Sequence, residues 1–172
     1  MNFLIRKVIL SEVEILQQLT IKTFLEAYSE TNNAISMKAY IEAKFSLENL
    51  SRELKQTNSE FYFIEHKSEK MGFLKLNIGS SQTEPMPENT LEIERIYVIE
   101  KHQGKKIGKS LLEFSIQYAK MKSVDFIWLG VWEHNQKAIE FYKRNQFEVF
   151  SSHTFILGEE HQIDLLMKRS LK

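Results

Sequence analysis

An α/β domain is the fold class the sequence predicts, on three observations. Apolar runs rich in aromatic and β-branched residues alternate with stretches whose apolar side chains recur at helical spacing. The second half of the chain reads strand, helix, strand, helix, the order of a parallel crossover. With 172 residues, 42% of them hydrophobic and 12% aromatic, the chain can bury one core and is too short for two ordinary domains, so residues 1–172 are expected to form a single domain.

Phe3 to Leu10 reads as an opening strand. Ser11, Glu12, Val13 and Glu14 form a capping box that starts a helix with Val13, Leu16, Leu19, Phe24 and Ala27 as its apolar positions. After the polar break at Thr31, Asn32 and Asn33, a second helical stretch runs from Ser36 to about Lys55. Phe61 to Ile64 and Met71 to Leu76, separated by the polar residues His66 to Lys70, suggest a hairpin. Gly79 to Asn89 holds both prolines of the chain and is a loop. There follow strand Leu91 to Val98, a glycine-bearing turn, helix Gly108 to Met121, strand Phe126 to Val131, helix Asn135 to about Arg144, and strands near Phe147 to Leu157 and Gln162 to Met167. No internal repeat or low-complexity segment interrupts this order.

Lys plus Arg and Asp plus Glu balance at 23 each, so no global charge points to nucleic acid or an acidic membrane as a partner. The chain has no cysteine, which excludes disulfides, thiolate zinc sites and cysteine nucleophiles and fits a reducing compartment. Its five histidines form no HExxH or similar pair, and no metal is expected. Met1 to Leu10 is interrupted by Arg6 and Lys7 and is followed by no small-residue cleavage site. No apolar run approaches the ~20 residues of a membrane helix, so a soluble, cytoplasmic protein is the expectation.

The segment Gln103, Gly104, Lys105, Lys106, Ile107, Gly108, Lys109, Ser110 joins the strand ending at Val98 to a helix carrying Leu111, Leu112, Ile116 and Ala119. Free backbone N–H groups at a helix N-terminus, with the helix dipole behind them, make a phosphate site, and glycine lets the backbone approach its ligand. A nucleotide-binding P-loop is one reading, but three residues separate Gly104 from Gly108 where that motif needs four, and strand Phe126 to Val131 lacks a terminal Asp for magnesium. A merely structural glycine turn is another. The third is a resemblance to the pyrophosphate loop of the GNAT superfamily of N-acetyltransferases: Gln103, with Gly108 five positions on, a branched strand before it and Leu111 and Leu112 after it. Lys106 stands where that family usually has its middle glycine; with negative φ there, the lysine would supply charge to a CoA phosphate.

A second segment, Asn135, Ala138, Ile139, Phe141, Tyr142, Asn145, Gln146 and Phe147, resembles the GNAT stretch with Asn, Ala, a Phe-Tyr pair and a closing Gly-Phe. Gln146 replaces the closing glycine, and Asn145 is the residue expected to take a left-handed helix cap. Asn135 reads equally as an N-cap and, through the resemblance, as a polar contact near the pantetheine arm. Ile139 and Phe141 read as helix packing. The resemblance implies the GNAT fold: a mixed, mostly antiparallel sheet of about seven strands with one splayed parallel pair that admits the pantetheine arm, flanked by four or five helices. It also implies acetyl-CoA as cosubstrate, held by Ile96, Tyr97, Val98, Gln103, Gly104, Lys105, Lys106, Ile107, Gly108, Lys109, Ser110, Asn135 and Tyr142. A homodimer is a habit of that family.

The implied reaction is acetyl transfer to a primary amine by direct attack through a ternary complex. Such an amine is almost wholly protonated at neutral pH, so freeing its lone pair costs about 4 to 5 kcal/mol and calls for a base. Glu92 and Glu94 lie two apart on one strand and so on one face, and each is a candidate base or a solvated surface acid. A backbone N–H of the Ile96 to Val98 segment is a candidate oxyanion donor, and the Tyr142 phenol a candidate general acid toward the departing CoA thiolate.

Between Leu76 and Glu94 there is no Lys, Arg or His but there are four glutamates, Glu84, Glu88, Glu92 and Glu94, a local acidic field that favours a cationic acceptor. Leu91 to Tyr97, Ile127 to Glu133 and Asn135 to Phe147 are similar to PaiA-type bacterial polyamine acetyltransferases, which implies spermidine or spermine. Trp132 and Glu133 are candidates for the acceptor pocket through cation–π and charge contacts, with Trp128 and Trp132 as packing residues the alternative. A protein N-terminus or lysine side chain as acceptor, and a non-catalytic CoA-binding regulatory module, stay open. The cluster Lys101, Lys105, Lys106 and Lys109 needs no nucleic acid, since CoA phosphates account for it.

Overall fold

The computed structural model describes residues 2–87, 89–157 and 160–172. Its elements are β1 (Leu4–Lys7), α1 (Val13–Tyr28), α2 (Ala34–Lys44), α3 (Leu47–Leu54), β2 (Ser59–His66), β3 (Glu69–Ile78), β4 (Thr90–Val98), α4 (Ile107–Met121), β5 (Phe126–Trp132), α5 (Gln136–Arg144), β6 (Glu148–Leu157) and β7 (Glu160–Ser170). The seven strands form one sheet in the order β1-β2-β3-β4-β5-β7-β6. Every neighbouring pair is antiparallel except β4 and β5, which run parallel across the α4 crossover.

Strand alternation divides the apolar side chains between the two faces of the sheet. Tyr62, Ile64, Leu74, Leu76, Leu91 and Ile93 pack with Leu111, Leu112, Ile116 and Ala119 of α4. Phe61, Phe63 and Phe73 point the other way, onto Leu16 and Leu19 of α1 and Leu50 of α3. Burying each such Leu or Phe contributes about 2 kcal/mol relative to leaving it in water. A third, aromatic cluster of Phe24, Met37 and Phe45, with Tyr28, Tyr40 and Phe155 against it, joins α1 and α2 to β6.

Several local expectations shift. The opening strand stops at Lys7, and the cap before α1 is not built on Ser11: the Glu12 carboxylate accepts from the Ile9 N–H at 3.3 Å while the Glu12 N–H donates to the Ile9 carbonyl at 2.9 Å. Arg6 holds that carboxylate from the other side at 2.7 and 2.8 Å, an ion pair stronger than anything Ser11 could offer. The stretch Ser36 to Lys55 is two helices. Asn33 caps the first, accepting from Ile35 and Ser36, and Phe45 then turns into the aromatic cluster, so that Ser46 breaks the helix in extended conformation and caps the second by accepting from Asn49 at 3.2 Å. The β2–β3 hairpin closes through Lys67 and Ser68, both at positive φ (48° and 68°), as a two-residue type I′ turn requires.

Two corrections bear on the site. Asn145 is not left-handed, with φ −101°; Gln146 itself takes the left-handed position at φ 68°. The Gln146 N–H donates to Lys143 O and the Phe147 N–H to Tyr142 O, the paired bonds of a Schellman cap, and the Tyr142 and Phe147 rings meet at 5.8 Å across it. The glutamine thus tolerates about 1 kcal/mol of backbone strain because the cap around it is complete. Lys106 likewise has φ 64° rather than the negative φ expected of a lysine.

Candidate active site

The parallel pair is short. β4 and β5 are registered at Thr90↔Phe126, Leu91↔Ile127 and Glu92↔Trp128, and the pairing ends there although β4 runs on to Val98 and β5 to Trp132. A bulge in β4 accompanies the divergence: Lys75 of β3 faces Arg95 and Leu76 faces Ile93, which leaves Glu94 as the extra residue. Strict alternation would send Glu94 and Arg95 to opposite faces; the bulge keeps both, with Glu92 and Tyr97, on the side of α1. Beyond Glu92 the backbone edge of β4 that looks toward β5 has no strand partner among the described residues.

On one side of this opening lies the start of α4. Lys106 is its N-cap and offers no side-chain acceptor, so the first-turn N–H groups of Ile107, Gly108 and Lys109 have no intrahelical bond or cap. Ser110 N–H and Oγ both donate to Lys106 O, at 3.0 and 3.3 Å. Gly104, at φ 77°, has nothing within 4 Å of where a Cβ would stand, and a Cβ on Gly108 would come no closer than 3.9 Å to Val98, so the turn is open. Gln103 is tied down, donating to Val98 O at 3.3 Å and accepting from Lys137 at 3.3 Å. Lys105 caps the Lys101 carbonyl at 3.0 Å and Lys109 lies 3.7 Å from Glu113, whereas Lys106 has no ion-pair partner among the described residues. The side chains of Ile96 and Val98 pack against the α4 side of the core.

Asn135 caps α5, its Oδ1 accepting from Ala138 at 3.1 Å. One turn later Tyr142 is buried between Phe141 and Phe147, and its hydroxyl makes no hydrogen bond to any described residue. Burial, and then the neighbouring Tyr97, push its ionisation well above the usual phenol range, so it is a proton donor throughout neutral pH.

On the other side of the opening is a cavity of about 250 Å³. Its lining combines an aromatic wall of Phe24, Tyr28, Tyr40, Phe45, Tyr97 and Phe155 with Trp128 and Trp132 from β5 and the polar groups Thr83, Glu92, Glu94, Arg95, His153, Gln162 and Asp164. The structure brings Glu92 and Glu94 together, since Asn77 Nδ2 donates to both, at 3.0 and 2.6 Å. Their surroundings differ. Glu94 lies 2.5 Å from Lys75 and 3.0 Å from Arg95, and both cations also hold Glu53, at 2.9 and 3.0 Å. Burial pushes the Glu94 carboxyl up, but the charges of Arg95 and Lys75 outweigh it and leave it below the usual range. Glu92, by contrast, has no cation partner among the described residues: it accepts from Thr83 N–H at 2.9 Å, from the Thr83 hydroxyl and from Asn77. Burial raises its carboxyl, and those hydrogen bonds only partly offset the rise. Of the two glutamates, Glu92 therefore has the character of a base and Glu94 that of a neutralised anchor.

Trp132 lines the cavity, while Glu133 does not: its carboxylate lies 3.7 Å from His134. Trp128 is buried and donates its indole N–H to Gln82 at 2.7 Å. Glu84 of the acidic stretch pairs with His153, and Glu88 lies outside the described residues. Sequence reasoning missed His153 and Asp164, which β6 and β7 carry to the far wall, and the aromatic wall from α1 and α2. The one available signal was a single acid, Asp164, inside the apolar run Ile163, Leu165, Leu166 and Met167.

No helix among the described residues is long and apolar enough to cross a membrane. Residues 14–147 match the model of the acetyltransferase (GNAT) family. An uncharacterized N-acetyltransferase (pepI 3′ region) of Lactobacillus delbrueckii subsp. lactis is 37% identical over 150 residues, 87% of each chain. A spermidine N(1)-acetyltransferase of Thermoplasma acidophilum is 27% identical over 153 residues, 87% of this chain and 90% of that one. Among solved structures, the PaiA N-acetyltransferase of Thermoplasma acidophilum in complex with coenzyme A superposes with a TM-score of 0.81 over 99% of both chains, at 24% identity. The family match spans the bulged β4, the uncapped turn before α4 and the Tyr142 helix together, and on that ground the chain belongs to the GNAT acetyltransferase family and is an acetyltransferase.

Proposed function

We propose that residues 1–172 act as one domain that moves the acetyl group of acetyl-CoA to a primary amine of a small polycation, spermidine or spermine being the acceptors we favour, within a ternary complex. The observation that carries this reading is the β4–β5 opening, which separates an uncapped helix start from an acid-bearing aromatic cavity. The Thermoplasma relative named as a spermidine acetyltransferase supports the same choice of acceptor.

The CoA phosphates fit the turn on this chain's own geometry: open first-turn N–H groups, no Cβ in the way at Gly104, and beside them the Lys106 ammonium, which has no ion-pair partner among the described residues. Here the left-handed lysine supplies charge and a positive φ at once. In the cavity, the carboxylate of Glu92 attracts the reacting ammonium, and the aromatic wall accommodates the acceptor's methylenes and charge. Glu92 takes the ammonium proton, directly or through water. The amine nitrogen then bonds to the thioester carbon while a backbone N–H on the open edge of β4 faces the developing oxyanion. As the C–S bond breaks, the Tyr142 hydroxyl gives its proton to the departing sulfur, and the second proton of the attacking nitrogen passes through water to restore the phenol.

Incubating the protein with acetyl-CoA and spermidine, spermine, putrescine, lysine-containing peptides and an aminoglycoside, with free thiol and product mass followed, tests this. Long polyamines are expected to be acetylated with the highest kcat/KM. Preferred turnover of the peptides would overturn the polyamine assignment and leave acetyl transfer intact.

A further inference from the structure

Three consecutive loop residues reach three different strands around the cavity. Gln82 accepts from Trp128 on β5, Thr83 donates to Glu92 on β4, and Glu84 meets His153 on β6, its Oε1 2.6 Å from Nδ1. The last contact fixes the imidazole. An ionised carboxylate only accepts, so the proton between them sits on Nδ1 and, in the neutral ring, Nε2 presents its lone pair. That nitrogen faces Asp164 Oδ2 at 3.5 Å, longer than an ordinary N–H···O bond. In that neutral form Nε2 and the Asp164 carboxylate are two acceptors that face one another with no donor of their own between them. Among the described residues Asp164 has no Lys or Arg partner; the nearby Arg95 is engaged by Glu53 and Glu94.

A group that carries a positive charge and several N–H donors satisfies both acceptors, and a primary ammonium is the smallest that does. Space for it exists in the cavity that both residues line, where Gly130 of β5, diagonal to Asp164 across the strand pair, adds no side chain; a Cβ there would stand 3.7 Å from Asp164 Oδ2. Register also separates this pair from Glu92. Glu92 is opposite Trp128 and Asp164 opposite Trp132, four residues apart on β5. That is about 13 Å along the strand.

We propose that Asp164 and His153 Nε2, with Glu84 orienting the ring, hold the non-reacting ammonium of a diamine or longer polyamine while its other end lies at Glu92. The proposal rests on the amine-acetyltransferase reading and adds that the site recognises two cations at once. Asp164 and His153 touch the acceptor; Glu84 is a positioning residue that acts through the imidazole.

The experiment compares spermidine with an analogue in which one terminal amine is replaced by methyl, in the full chain and in Asp164→Asn and Glu84→Gln. In the unsubstituted protein spermidine is expected to exceed the analogue in kcat/KM by about tenfold or more. Asp164→Asn is expected to raise KM for spermidine by about tenfold and to leave the analogue's kinetics unchanged. Glu84→Gln lies on a part-exposed loop residue and lets an amide donate to Nδ1, which moves the proton to Nε2, satisfies Asp164 internally and should also raise KM for spermidine; this variant carries the test if Asp164→Asn fails to fold. Equal turnover of spermidine and analogue by the unsubstituted protein, or an equal loss for both in the variants, overturns the two-cation proposal while amine acetylation stands. If neither amine is acetylated although CoA binds, the underlying reading fails and the proposal with it.

Discussion

Tyr142→Phe is expected to lower kcat by about 100- to 1000-fold, within the range associated with a positioned general acid, while CoA affinity and fold stability stay close to those of the parent. The separation follows from what the side chain does. Its ring is gripped by Phe141 and Phe147, and the Schellman cap ties its carbonyl to the Phe147 N–H, so phenylalanine reproduces every packing contact. Its hydroxyl has no partner among the described residues, so removing it breaks no hydrogen bond to them. Steady-state rates with acetyl-CoA and the preferred amine, beside calorimetric titration of CoA and a urea melt, give the three numbers. A variant with full kcat would remove Tyr142 from the chemistry; one that loses CoA binding or stability would make it a packing residue.

Lys75→Met should be the most destabilising single change near the site, costing about 3 to 5 kcal/mol, as expected when one partner of a buried ion-pair network is removed. Lys75 is 4% exposed and contacts Glu53 and Glu94, whose charges Arg95 alone cannot balance. The effect also has a pH signature. Because the folded-state pKa of Glu94 is lowered, its contribution is fully present above the unfolded value near about 4.3 and is lost as pH falls through the lowered folded value. With Lys75 gone that lowering shrinks, so acid unfolding should begin at higher pH in the variant. Urea midpoints measured between neutral and acid pH check both statements. A loss under about 1 kcal/mol, typical of exposed pairs, would mean that the cluster is not the internal support its burial indicates.

Much of the fold was legible because the second half of the chain obeys local rules. The β4 pattern, the glycine-bearing turn, the α4 stripe and the Asn135 cap each depend on residues within one turn or one strand, and each stands where its spacing put it. What was misjudged depends on distant partners. Ser11 loses its cap to Glu12 because Arg6 approaches from β1, and the helix expected to continue through Phe45 breaks because that ring is drawn into a cluster with Phe24 and Tyr40. Lys106 and Gln146 occupy left-handed positions where glycine would be unstrained, and only the completed turn and cap around them show that the chain accepts this. Glu92 and Glu94 were readable as a pair on one face, whereas their division into a base and a neutralised anchor was not: it is set by Lys75, Arg95 and Glu53 from β3, β4 and α3 and by Thr83 from the loop. Asp164 and His153 lie beyond Phe147, where the last sequence signal at the site ends, and reach the cavity only through the pairing of β5 with β7 and of β7 with β6.

The central claim is that cosubstrate and acceptor meet across the β4–β5 opening, and a conjugate joining the CoA sulfur to a terminal spermidine nitrogen through a two-carbon acyl bridge tests it most directly. Calorimetric titration is expected to give one conjugate per chain, bound at least about 100-fold more tightly than CoA, because the second end binds at the high effective concentration set by the first. A conjugate that binds no better than CoA would show that the cavity beside Glu92 and Asp164 does not receive the amine, and would contradict the account.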